Sequence, residues 1–116
     1  GEHWAEIESE SDEEIAVLTW GSSYGAVSEA LAELRSEGRK VRLIAMRLLS
    51  PAQPERLADA LQGIKKVLVV EQSHGGQFYR YLRAHYDIDA DVRSMAVPGP
   101  LAIRPSDVRK TLIEWS

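Results

Sequence analysis

Two short runs carry the groups best suited to chemistry. In Glu71-Gln72-Ser73-His74-Gly75-Gly76-Gln77 a carboxylate and an imidazole lie three residues apart, a spacing that could serve an acid/base pair. The same spacing suits a plainer arrangement, with Glu71 accepting hydrogen bonds from turn amides and His74 standing in solvent. The second run, Gly21-Ser22-Ser23-Tyr24-Gly25, is a Gly- and Ser-rich turn. At the start of a helix its free N–H groups would receive an anion well. Equally, Gly21 and Gly25 could serve simply to let the backbone pass closely through a tight connection.

Other chemistries find less support. The 21–25 run is neither the GxGxxG fingerprint nor a phosphate loop, because the lysine and the spacing are missing. Gly21-x-Ser23-x-Gly25 does match the letters of a nucleophile elbow, but such a hydrolase needs a histidine near its end. Here the last histidine is His85. His3, His74 and His85 show no metal-site spacing, and with no cysteine the chain offers neither a thiol nucleophile nor iron–sulfur ligands. Arg47, Arg80, Arg83 and Arg104 could meet an acidic ligand or partner, or be solvated and paired locally.

Both runs are placed by strand–helix alternation. Ile15–Trp20 is a short apolar, β-branched-rich run that reads as a buried strand, and Val27, Ala30, Leu31 and Leu34 behind it form a helical stripe. Gly38 stops that helix and residues 41–46 form the next strand. Ser50 and Gln53 have capping-box spacing before a helix with Leu57, Leu61 and Ile64 on one face. Val67–Val70 is a strand closed by Glu71, and the following helix carries Tyr79, Leu82 and Tyr86 on its inner face. Phe78, Tyr79, Tyr81 and Tyr86 exceed what one buried face needs, which predicts an exposed aromatic edge for packing against another domain or subunit.

Residues 91–97 read as a further strand, Pro98-Gly99-Pro100 as a break, and Val108, Leu112 and Trp115 as the stripe of a last helix. Trp4–Glu8 alternates apolar and acidic like an edge strand with one wet face. Such alternation predicts a mostly parallel, doubly wound α/β sheet, whose ligands bind at the carboxyl ends of the strands where strand order switches. Both Gly-rich turns lie at carboxyl ends. If their strands are neighbours, the turns line one crevice.

Composition narrows the class. At 116 residues with 44% hydrophobic content, residues 1–116 are expected to form a single domain. No apolar run approaches the ~20 residues of a membrane span, so no membrane partner is expected, and the absence of cysteine suits a cytoplasmic setting. Residues 1–14 hold seven acids and no Lys or Arg, leaving 14 basic against 11 acidic groups in the rest, too weak a balance for nucleic acid. The acidic start reads as a solvated segment. A first residue that is not Met suggests a piece excised from the C-terminal part of a longer chain.

At this point a resemblance can be stated. Leu18-Thr19-Trp20-Gly21-Ser22-Ser23-Tyr24-Gly25-Ala26 resembles the "WGSxxG" start of the C-terminal domain of 2-oxoacid:ferredoxin oxidoreductase α subunits. The Pro-bearing turn at residues 49–54, the strand-ending Glu71 with Gly75-Gly76-Gln77 after it, and Pro98-Gly99-Pro100 follow in the same order. Where many relatives have an Asn-rich turn after the glutamate, this chain has Ser73-His74.

The resemblance implies a three-layer α/β/α fold like the C-terminal domain of transketolase, with five strands ordered 1-3-2-4-5 and strand 1 antiparallel. It also implies a non-catalytic domain of an enzyme that decarboxylates a 2-oxoacid, forms an acyl-CoA and passes electrons to ferredoxin. Thiamine diphosphate, magnesium and iron–sulfur clusters would be held by other domains of the α chain or by a β subunit. The expected contribution is to assembly and active-site access, through Gly21, Ser22, Ser23, Tyr24, Gly25, Glu71, Gln72, Ser73, His74, Gly75 and Gln77. The rival expectations are a stand-alone small-molecule or anion-binding module, and the equivalent domain of a transketolase-like or 2-oxoacid dehydrogenase enzyme.

Overall fold

A computed structural model describes residues 4–47 and 51–115 of the chain. The elements run β1 (Ala5–Glu8), β2 (Ile15–Trp20), α1 (Tyr24–Ser36), β3 (Val41–Met46), α2 (Pro54–Ala60), β4 (Lys66–Glu71), α3 (Gln77–His85), β5 (Asp91–Ala96) and α4 (Pro105–Trp115). His3 and the Ser50 end of the expected capping box lie outside the described residues. Gln53, at the N-cap of α2, makes no side-chain cap bond. Its N–H instead donates to the Tyr86 hydroxyl at 2.7 Å.

The five strands form one sheet in the order β1-β3-β2-β4-β5. β1 pairs antiparallel with β3 and the remaining pairs are parallel. This is the sheet order and the single antiparallel strand that the resemblance implied. β2 and β4 lie side by side in the middle and are apolar at nearly every position, because both of their faces are covered.

Alternate residues feed two separate cores, as the two-residue period of a strand requires. Val17, Leu43, Leu68 and Val70 pack under Val27, Leu31 and Leu34 of α1 and Val108, Leu112 and Trp115 of α4. Leu18, Ile44, Val67 and Val69 face the other way, against Leu57 of α2 and Phe78 and Leu82 of α3. The α3 stripe therefore differs in phase from the expected one. Phe78 is buried and Tyr79 half-buried. Tyr81 is also half-buried and Tyr86 is buried, so none of the aromatics at 78–86 is exposed as an edge.

Among the described residues of the acidic start, Glu10, Asp12 and Glu14 are exposed, but the segment is not only solvated. Glu8 pairs with Arg35 at 2.9 Å and Glu14 with Lys65 at 2.9 Å, while Glu6 pairs with Arg47. Glu13 is 2% exposed. Its carboxylate accepts from the Arg42 Nε at 3.0 Å, the Ser9 hydroxyl at 2.8 Å and the Glu10 N–H at 2.7 Å. Arg42 also donates through Nη1 to the carbonyls of Ala60 at 2.8 Å and Gln62 at 2.9 Å. One guanidinium thus ties the 9–13 loop and β3 to the end of α2. Burial alone would push the Glu13 carboxyl up, but the hydrogen bonds from Glu10, Ser9 and Arg42 outweigh it and hold the group below its ordinary value.

Candidate functional site

The connection after β2 enters α1 on one face of the sheet, and the connection after β4 enters α3 on the other. Since β2 and β4 are neighbours, their turns part at the strand ends and leave an opening between them. This is the switch point of a doubly wound sheet. Trp20, Gly21, Ser22, Ser23, Glu71, Gln72, Ser73 and Gln77 line the resulting cleft, of about 520 Å³. Tyr24 lies beside an adjoining hollow of about 390 Å³ with Glu6, Arg47, Trp20 and Gly21. Gly25, His74 and Gly75 do not line the cleft.

Glu71 is 3% exposed at the end of β4. Its Oε2 accepts from the Phe78 N–H at 2.8 Å and from the Ser73 hydroxyl at 3.1 Å, and its Oε1 accepts from the Tyr79 N–H at 3.0 Å. Both oxygens are therefore committed to the first turn of α3, where free N–H groups and the helix dipole favour a negative charge. The Ser73 hydroxyl also accepts the Gly76 N–H at 3.0 Å, closing the turn on itself. His74 is exposed and makes no hydrogen bond or ion pair among the described residues. Of the two arrangements that the Glu71–His74 spacing allows, the structure contains the plainer one. Glu71 is a helix cap.

Gly76 sits at the N-cap of α3 with φ +65°, a left-handed conformation that side chains adopt at a cost. A Cβ there would meet the Glu71 carboxylate at 3.7 Å, an ordinary contact. The expected effect of Gly76→Ala is accordingly pure backbone strain, a loss of roughly 1–2 kcal/mol, read as a lower midpoint in urea unfolding with an unchanged slope.

The other wall differs in one respect. A single 3₁₀ turn, Gly21–Ser23, leads from β2 into α1, with Gly21 at φ +69°. Ser23 is the N-cap of α1, yet its side chain makes no cap bond and the first turn of the helix holds no acidic residue. Ser23 is 2% exposed, and its hydroxyl has no hydrogen-bond partner among the described residues. Trp20, which the sequence pattern placed inside a buried strand, is 43% exposed and stacks on Phe78 at 6.1 Å between ring centroids.

The break after β5 closes onto the same region. The Val97 N–H donates to the Glu71 carbonyl and the Ser73 N–H to the Val97 carbonyl, each at 3.0 Å. The Gln72 side-chain amide reaches the Leu101 carbonyl at 3.0 Å. The arginines singled out as candidates stand apart from the cleft. Arg47 pairs with Glu6 and Arg104 with Asp107, while Arg83 lies over the Tyr79 ring at 5.9 Å. Arg80 is exposed on α3. Periodicity did not flag Ser23 as orphaned or Trp20 as exposed. The missing acidic residue in the first turn of α1 was the available signal.

Residues 13–108 match the family described as pyruvate:ferredoxin oxidoreductase core domain II. The chain is 35% identical over 98 residues to the α subunit of 2-oxoacid:ferredoxin oxidoreductase 2 of Aeropyrum pernix, an alignment covering 84% of this chain and 15% of that one. It is 34% identical over 79 residues to the 2-oxoacid:ferredoxin oxidoreductase α subunit of Saccharolobus solfataricus, covering 68% of this chain and 12% of the other. Among solved structures, the 2-oxoglutarate:ferredoxin oxidoreductase of Magnetococcus marinus, with 2-oxoglutarate, coenzyme A and succinyl-CoA bound, superposes with a TM-score of 0.85 at 30% identity. That superposition covers 95% of this chain and 19% of the other. The chain thus spans less than a fifth of the length of these relatives.

Proposed function

Since the chain belongs to the pyruvate:ferredoxin oxidoreductase core domain II family, we propose that it is a non-catalytic domain of a thiamine-diphosphate-dependent 2-oxoacid:ferredoxin oxidoreductase α subunit. It contributes to subunit assembly, and its crevice shapes access to the active site, facing a neighbouring domain or the path of the acyl acceptor. The observation that carries this reading is the state of Glu71. A buried carboxylate with both oxygens bound to a helix end is a fixed structural group. The crevice has shape and little reactivity.

The residues present do not fit an iron–sulfur cluster. The chain has no cysteine for an iron–sulfur cluster. Among the described residues no group of three or more His, Asp or Glu gathers to hold a metal ion by protein ligands alone. In this reading thiamine diphosphate, magnesium and the clusters belong to other domains of the α chain or to a β subunit, with ferredoxin as the electron acceptor. The working compartment is the cytoplasm. The crevice is offered as interface through Gly21, Ser22, Ser23, Glu71, Gln72, Ser73 and Gln77, with Tyr24 in the adjoining hollow and Gly25, His74 and Gly75 at its margin.

Two measurements test this together. The chain alone, given a 2-oxoacid, thiamine diphosphate and magnesium, is expected to release no carbon dioxide, and turnover would overturn the reading. In the complete enzyme, Trp20→Ala removes an exposed aromatic of the kind that anchors interfaces, so the partner subunit should be retained about tenfold more weakly. Unchanged retention, with unchanged access of the acyl acceptor, would also count against it.

A further inference from the structure

Two helices open on one crevice, and they are treated differently. α3 receives a carboxylate from within the chain, Glu71, held by the Phe78 and Tyr79 N–H groups. α1, a 13-residue helix, receives none. Its first turn has no acidic residue and its N-cap side chain makes no bond. The Tyr24 N–H that begins α1 already donates to the Gly21 carbonyl of the 3₁₀ turn, but the start of the helix still carries the positive end of its dipole, so an oxyanion is stabilised there. That alone would describe any uncapped helix.

The second observation is the Ser23 hydroxyl. It belongs to the wall of the cleft and is enclosed without a hydrogen-bond partner among the described residues. A buried hydroxyl left unpaired costs stability, so one that persists at a cleft wall marks a place for an absent partner. Glu71 shows what such an opening takes when the chain supplies it. Beside Ser23 the exposed Trp20 ring offers an apolar wall, and a cleft of about 520 Å³ matches a small organic group. No Lys or Arg lines the cleft, so the positive potential there comes from the helix end.

We propose that the crevice binds a carboxylate carried on a short apolar stem, received by the Ser23 hydroxyl at the positive end of α1 with the stem against Trp20. The carboxylate comes either from a free small acid or from a glutamate side chain of a docked polypeptide. This deepens the crevice reading above and rests on it. The two remain separable, because this one is read from the chain by itself and the assembly role from retention of a partner subunit.

The test is an amide NMR titration at constant ionic strength with three probes. These are glutarate, its neutral analogue glutaramide, and an acetylated, amidated Ala-Glu-Ala tripeptide. Saturable shifts of the Ser22, Ser23 and Tyr24 amides and of the Trp20 indole N–H are expected with glutarate or the tripeptide, and none with glutaramide. Tighter binding of glutarate supports a free acid, and tighter binding of the tripeptide supports a glutamate side chain. Ser23→Ala removes a buried hydroxyl that bonds nothing, so its melting temperature should equal or exceed the parent's while the probes bind about tenfold more weakly. Shifts that fail to saturate, that glutaramide or chloride reproduces, or that Ser23→Ala leaves untouched would each overturn the proposal.

Discussion

Replacing Arg42 with Met is expected to remove about 3–5 kcal/mol of stability, the penalty for leaving a buried carboxylate without its cation. For a chain of this size that corresponds to a fall of roughly 10–20 °C in melting temperature. Among the described residues the guanidinium touches Glu13, the Ala60 carbonyl and the Gln62 carbonyl together, so a single truncation releases the 9–13 loop and the end of α2 from β3. Arg42→Lys keeps the charge but not the fork, and should fall between the two. Glu13→Leu combined with Arg42→Met should recover part of the loss, since removing both charges ends the uncompensated burial.

The same ion pair fixes the direction of the pH dependence. The Glu13 carboxyl lies below its ordinary value of 4.5 in the folded protein. The unfolded chain therefore binds the proton more readily, and the stabilisation is complete above that value and lost as pH falls through the folded one. Acid unfolding followed by circular dichroism should show this loss in the parent. In Arg42→Met the loss should be flattened, because the carboxyl no longer has a cation to hold it low. An identical acid limb in both proteins would contradict this assignment.

Replacing Glu71 with Ala is the second large effect, expected at about 2–4 kcal/mol. Hydrogen bonds to a buried charged acceptor contribute about 1.5–3 kcal/mol each and are partly shared. Both the Phe78 and Tyr79 N–H groups lose their acceptor in this variant, and so does the Ser73 hydroxyl that braces the turn. The damage should be local. Hydrogen exchange of the first-turn amides of α3 should accelerate far more than that of α1, whose opening does not touch Glu71. Glu71→Gln retains an acceptor for one N–H and should lose about half as much. If Glu71 worked instead as an acid or base, Ala and Gln would abolish activity of the complete enzyme alike while leaving α3 exchange unchanged.

The sheet was legible because its central strands obey the rule for covered parallel strands. Residues 15–19 and 67–70 are apolar almost without interruption, and glycines stand where the chain turns. The two turns could be paired in one crevice from sequence as soon as β2 and β4 were assumed to be neighbours. What escaped depends on partners distant along the chain. Glu13 meets Arg42 from 29 residues away, and nothing near Glu13 hints at that cation, so the acidic start looked solvated. Phe78 and Tyr79 are adjacent aromatics, and a stripe can be drawn through either until the sheet decides the phase. Trp20 was misplaced for a different reason. It continues the apolar run of β2 to the strand's last residue, so its pattern is that of a core residue, yet it is exposed.

The division of the interior into two cores has a consequence for how this crevice can change over evolutionary time. The wall built on Ser22 and Ser23 stands on the layer of α1 and α4, and the wall built on Ser73 and Gln77 on the layer of α2 and α3. Substitutions in one wall are absorbed by packing that the other does not share, so their effects should combine almost independently. Trp20, stacked on Phe78, is where the two halves meet. A lineage could therefore retune either wall in single steps, each viable without a compensating change opposite, while that ring pair keeps the walls in register.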